Sequence, residues 1–95
     1  MTDKTRKVAL VTGSATGIGR ACALRFAENG FDVVVNYSKS ETEARETLEL
    51  VEACHVRGLL VQCDVGNDAA VRAMVHQVEA EFGRLDVLVN NAATT

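Results

Sequence analysis

The chain has 95 residues, 47% of them hydrophobic and 24% charged, which is the balance of one globular piece rather than of a disordered or fibrous chain. Its net charge of −3 comes from 10 basic and 13 acidic residues that are interspersed, so no basic stripe exists to follow a nucleic-acid backbone, and no nucleic-acid partner is expected. No run approaches the roughly 18 apolar residues of a membrane span, and residues 1–7 are polar and charged, so the expectation is a soluble cytoplasmic protein without a membrane partner.

The first apolar run, Val8 to Thr12, reads as a strand, and a glycine-rich turn leads from it into a helical segment, Gly17 to Asn29. A helical wheel sets Cys22, Ala23, Phe26 and Ala27 on one side and Arg20, Arg25, Glu28 and Asn29 on the other, with Gly30 closing the helix. The second strand is Asp32 to Tyr37. The next helix opens at Ser40, with Glu43 three residues on in a capping-box pattern, and carries Ala44, Leu48 and Val51 inward before Gly58. Leu59 to Cys63 is the third strand. After Asn67 a third helix aligns Val71, Met74, Val75, Val78 and Phe82 up to Gly83, and Leu85 to Asn90 is the fourth strand. His55 and His76 fall in helical patterns without a partner at ligand spacing, and Cys22, Cys54 and Cys63 lack metal-site spacing, so no metal is expected.

Each strand is nearly continuous in apolar residues, as in a parallel sheet covered on both faces. Strands alternating with helices through short turns predict right-handed crossovers and an α/β fold, a Rossmann-type doubly wound parallel sheet with strand order 3-2-1-4. The switch point lies between the first and fourth strands, and a ligand is expected there, outside the carboxyl ends of the strands.

Thr12-Gly13-Ser14-Ala15-Thr16-Gly17-Ile18-Gly19 sits between the first strand and the first helix. Backbone N–H groups at a helix start, aided by the helix dipole, suit a pyrophosphate, and Gly19 falls on the packed side of the helix. The spacing is G-x-x-x-G-x-G, which also fits a close-packed strand-to-helix turn without a ligand.

Here the chain resembles the short-chain dehydrogenase/reductase family, whose members carry T-G-x-x-x-G-x-G at this place. Two further matches follow in order: Asp64-Val65 resembles the family's adenine-contacting Asp-Val pair, and Asn90-Asn91-Ala92-Ala93 resembles its Asn-Asn-Ala-Gly motif. Ala93 departs from that glycine. Within the family the run resembles the 3-oxoacyl-acyl-carrier-protein reductase type. The resemblance implies cofactor contacts at Gly13, Ser14, Ala15, Thr16, Gly17, Ile18 and Gly19, at Asp64 and Val65, and at Asn91, Ala92 and Ala93, with Asn90 tying neighbouring backbones together. Asp64 also reads as a turn-initiating residue before Gly66.

NAD-binding folds place an acid about 20 residues beyond the glycine turn for the ribose 2′-hydroxyl. The corresponding stretch here is Tyr37-Ser38-Lys39-Ser40, which favours NADP(H) while leaving NAD(H) possible. The same residues also read as a solvated loop and helix cap, and many NADP-dependent relatives have Arg or Lys where Thr16 stands. The family's catalytic Tyr-x-x-x-Lys pair is absent, because the one tyrosine, Tyr37, is followed four residues on by Glu41. No catalytic residue is therefore assigned. Residues 1–95 read as the amino-terminal dinucleotide-binding part of a single domain, inactive alone. The carboxy-terminal remainder is expected as a second polypeptide, and the complete enzyme as a homo-oligomer acting on a small-molecule substrate. The alternative is a non-catalytic dinucleotide-binding or sensory module.

Overall fold

A computed structural model describes residues 6–91. The elements run β1 (Val8–Val11), α1 (Gly17–Glu28), β2 (Asp32–Tyr37), α2 (Glu41–Glu52), β3 (Gly58–Gln62), α3 (Asp68–Phe82) and β4 (Val87–Val89). All three strand pairings are parallel and the order is β3-β2-β1-β4, as the alternation of elements predicts.

Side chains of a strand alternate between faces, and the two cores follow that parity. Val11, Val33, Val35 and Tyr37 pack with Ala23 and Ala27 of α1 and Ala44 and Val51 of α2. On the other face Val8, Leu10, Val34 and Val61 pack with Met74, Val78 and Phe82 of α3. Two helices on one face and one on the other make the sheet doubly wound, so β1 and β2 are buried along their whole length. Fully burying a side chain such as Val34 contributes roughly 1.5–3 kcal/mol relative to leaving it in water.

Element boundaries depart from the sequence reading where hydrogen bonding overrides apolarity. β4 covers three residues rather than the run from Leu85 to Asn90: at Asp86 the backbone N–H still donates to the Val8 carbonyl at 3.0 Å, but the Val8 N–H goes to the Asp86 carboxylate at 2.8 Å, which also pairs with Arg84 at 2.6 Å. Gly58, read as ending a helix, instead starts β3 opposite Val33, and α2 stops at Glu52. His55 is therefore not helical; it stands after α2 at φ 65°, and its carbonyl accepts a bond from Arg6. The capping box at Ser40 does not form. With φ −91° and ψ 63°, Ser40 lies outside the extended region that brings a cap hydroxyl over the first-turn N–H groups, so Glu41 and Glu43 complement the helix dipole instead. Asn67 does cap α3, accepting the Ala70 N–H at 3.1 Å. Among the described residues no helix is long and apolar enough to cross a membrane.

Candidate cofactor site

The turn between β1 and α1 is held from two sides. On the β2 side, buried Asn36 accepts the Gly13 N–H on its Oδ1 at 3.0 Å, while its backbone N–H donates to Ser14 Oγ and its carbonyl accepts from Ser14 N. On the β4 side, Asn91 donates its Nδ2 to the carbonyls of Thr12 and Gly13, both at 3.2 Å, and its N–H to Thr12 Oγ1 at 2.9 Å. Asn91, rather than Asn90, therefore ties the neighbouring backbones; Asn90 only receives a 3.5 Å contact from the Thr12 hydroxyl.

Gly17 and Gly19 matter for different reasons. Gly17 has φ +61° with open space where a Cβ would lie, so glycine is there for its backbone conformation. Gly19 is there for contact: an added Cβ would fall 2.1 Å from the Gly13 carbonyl oxygen and 2.7 Å from Asn91 Nδ2. That corrects the expectation of helix-to-strand packing at Gly19, since the close neighbour is the turn itself.

At the start of α1 the first-turn N–H groups have no partner within the helix, and Thr16, at the cap position, makes no side-chain bond to them. Unsatisfied N–H groups at the positive end of a helix form a seat for an anion. The cap residue Thr16 borders a cleft of about 720 Å³ at the carboxyl ends of β1, β2 and β3. Gly13, Ala15 and Thr16 line it from the turn, Tyr37, Ser38 and Lys39 from the end of β2, Asp64 and Val65 from the end of β3, and Asn91 from beyond β4. These nine predicted residues are brought together. Ser14 is not, being fully buried with its hydroxyl on the Val11 carbonyl; Gly17, Ile18 and Gly19 also lie off the cleft wall, with Gly19 buried and Ile18 75% exposed. Ala92 and Ala93 lie outside the described residues. The cleft spreads over the ends of β1 to β3 and reaches Asn91 beyond β4, so it borders the β1–β4 switch point where a ligand is expected.

Asp64 accepts the Gly66 N–H on Oδ1 at 2.9 Å, so it does initiate a turn while facing the cleft. Gln62 steadies the opposite rim through a 3.1 Å bond to the Ser38 carbonyl. Burial pushes the Cys63 thiol above its ordinary value, and the adjacent Asp64 charge adds to the effect. Sequence reasoning missed Asn36, Cys63 and Thr47. Thr47 is buried on α2, donates to the Ala15 carbonyl at 3.0 Å and accepts from Arg20 at 2.8 Å. Arg20 is thus half-buried and clasps α1 to α2 instead of pointing to water. The available signal was a polar residue inside an apolar pattern: Asn36 in a run of valines, and Thr47 between Ala44 and Val51.

The short chain dehydrogenase family profile matches residues 7–95. The chain belongs to the short-chain dehydrogenase family. It is similar to the 3-oxoacyl-acyl-carrier-protein reductase FabG of Staphylococcus aureus, 46% identical over 92 residues that make up 97% of this chain and 37% of that protein. The short-chain dehydrogenase/reductase homolog YusS of Bacillus subtilis is 42% identical and matches 94% of this chain and 82% of its own length. Among solved structures, acetoin dehydrogenase from Enterobacter cloacae superposes with a TM-score of 0.88 at 41% identity, covering 98% of this chain and 37% of that one. The chain thus spans little more than a third of the first-named reductase. This family binds nicotinamide dinucleotides, and the arrangement here fits one: an anion seat at α1, a hydroxyl-bearing rim at the end of β2 and a carboxylate turn at the end of β3.

Proposed function

We propose that this chain is the NADP(H)-binding part of an oxidoreductase that moves a hydride between a nicotinamide cofactor and an alcohol or carbonyl substrate. The observation that carries the reading is the rim of the cleft at the end of β2, where Tyr37, Ser38, Lys39 and Ser40 present hydroxyls and an ammonium and no carboxylate. A ribose 2′-phosphate meets hydrogen-bond donors there and no like charge. The N–H groups opening α1 would hold the pyrophosphate, and Asp64 would accept from the adenine amino group with Val65 against the ring. The dinucleotide supplies or takes up the hydride.

The Tyr-x-x-x-Lys pair that performs acid/base work in this family is not among these 95 residues. The remaining part of the enzyme would supply it, within a homo-oligomer, and these 95 residues alone would be inactive. The names of the similar proteins, a 3-oxoacyl reductase and an acetoin dehydrogenase, support a carbonyl or alcohol substrate. A second reading, a dinucleotide-binding module without catalysis, is favoured by the Bacillus subtilis homolog, of which this chain covers 82%. Fluorescence titration with NADPH and NADH tests the cofactor assignment: tighter NADPH binding is expected, and equal or tighter NADH binding overturns it. Turnover of a ketone by the purified 95-residue chain would overturn the division of labour.

A further inference from the structure

Asn36 is 1% exposed, yet every polar atom of its side chain has a partner. Oδ1 accepts from Gly13 N at 3.0 Å, and Nδ2 donates to the carbonyls of Val61 at 3.2 Å and Cys63 at 3.3 Å. Gly13 opens the turn that leads to the anion seat, and Cys63 immediately precedes Asp64 and Val65. One carboxamide therefore spans the gap between the two walls of the cleft, and the β2 backbone on which it rides bonds Ser14 in both directions. A hydrophobic residue here would deprive the Gly13 N–H and the Cys63 carbonyl of this partner.

We propose that Asn36 is a positioning residue that fixes the spacing between the pyrophosphate seat at α1 and the adenine seat at Asp64-Val65, and so selects ligands long enough to bridge them. The inference rests on the dinucleotide reading of the cleft and deepens it. Asn36→Asp keeps the acceptor for Gly13 but turns a carboxylate toward the Val61 and Cys63 carbonyls, pushing the end of β3 away. A ligand that touches both seats then loses affinity, and one that touches a single seat does not.

The test compares the purified protein and its Asn36→Asp and Asn36→Ser variants by NMR or calorimetric titration with NADP+, which spans both seats, and with adenosine, which meets only the adenine seat. The expected result is an approximately tenfold loss for NADP+ with adenosine changed by less than about twofold. Lowering the pH restores NADP+ binding to Asn36→Asp, because the neutral acid can donate to one carbonyl; Cys63 and Asp64, the ionisable groups beside it, are common to the unaltered protein, so the ratio of the two affinities at each pH removes them. Asn36→Ser has no such recovery, and decides the spacing by the same ligand comparison should Asn36→Asp not fold. Equal losses for both ligands, or a ratio that does not move with pH, overturn the proposal alone. An unaltered protein that binds neither dinucleotide overturns the functional reading together with it.

Discussion

Alanine at Gly19 and alanine at Gly17 should damage this protein by unequal amounts, because the two glycines are required by different physics. At Gly19 the new Cβ would lie 2.1 Å from the Gly13 oxygen and 2.8 Å from its carbonyl carbon, and these backbone atoms are pinned by Asn36 and Asn91. Overpacking of that kind costs about 1–3 kcal/mol. Displacing Asn91 from the two carbonyls it bonds adds about 1 kcal/mol. At Gly17 nothing lies within 4 Å, so only the left-handed backbone at φ +61° opposes alanine. That costs about 1–2 kcal/mol. Gly19→Ala should therefore be the more destabilising by about 1–2 kcal/mol, roughly a factor of ten in the folding equilibrium. Urea unfolding of both variants followed by circular dichroism measures the difference. A Gly17→Ala variant as unstable as Gly19→Ala, or more so, would refute the assignment of strain to one position and crowding to the other.

Gly17→Val should abolish dinucleotide binding, since side-chain bulk at the first turn of α1 occupies the anion seat; its φ adds a folding cost of about 1–3 kcal/mol, and unchanged affinity in a titration would show the seat lies elsewhere. Ser38, Ser40 and Lys39 together should favour NADP(H) over NAD(H) by about 2 kcal/mol, on the order of thirtyfold, and Tyr37→Asp with Lys39→Ala should reverse the ratio of dissociation constants. The bond from Arg84 and then that from the Val8 N–H hold Asp86 below the usual carboxylate range. Its stabilising contribution is therefore complete above the ordinary carboxylate range and is lost as the pH falls through the depressed value; thermal melts between pH 2 and 7 should show a shallower acid decline for Asp86→Asn. Cys63, buried and with its thiol pushed up, should react more slowly with an aromatic disulfide reagent than Cys22 or Cys54, and NADP(H) should slow it further; faster labelling at Cys63 would contradict its placement.

The order of elements was legible because each leaves a periodic signal: continuous apolar runs for β1 and β2, and one inward stripe on each helix. Boundaries were less so. Asp86 changes role through a bond to Val8 and Gly58 through its register with Val33, partners far off in sequence that no local window contains. At the site, the glycine turn and the Asp64-Val65 pair were visible as motifs, and most of their residues meet in one cleft. What holds the turn was not visible. Asn36 and Thr47 carry no motif, and their meaning comes from carbonyls on other elements that the fold brings within 3.3 Å. Arg20 was misjudged for the same reason: a wheel knows its own helix and not the hydroxyl on the next one.

The bonds joining Thr12 to Val89 and Asn91 cross 77 and 79 residues, which has a kinetic meaning. β1 emerges from the ribosome well before its β4 neighbour, yet it ends up flanked on both sides. Contacts this distant reward the chain only after the closure entropy of a long loop has been met, which slows folding. Until β4 arrives, the Val-Ala-Leu-Val edge of β1 is a bare apolar template on which another nascent chain could pair. The helix that is to receive the ligand can form early from local contacts, whereas the anchor beneath it closes only once β4 has paired, so cofactor competence should appear later than helix formation.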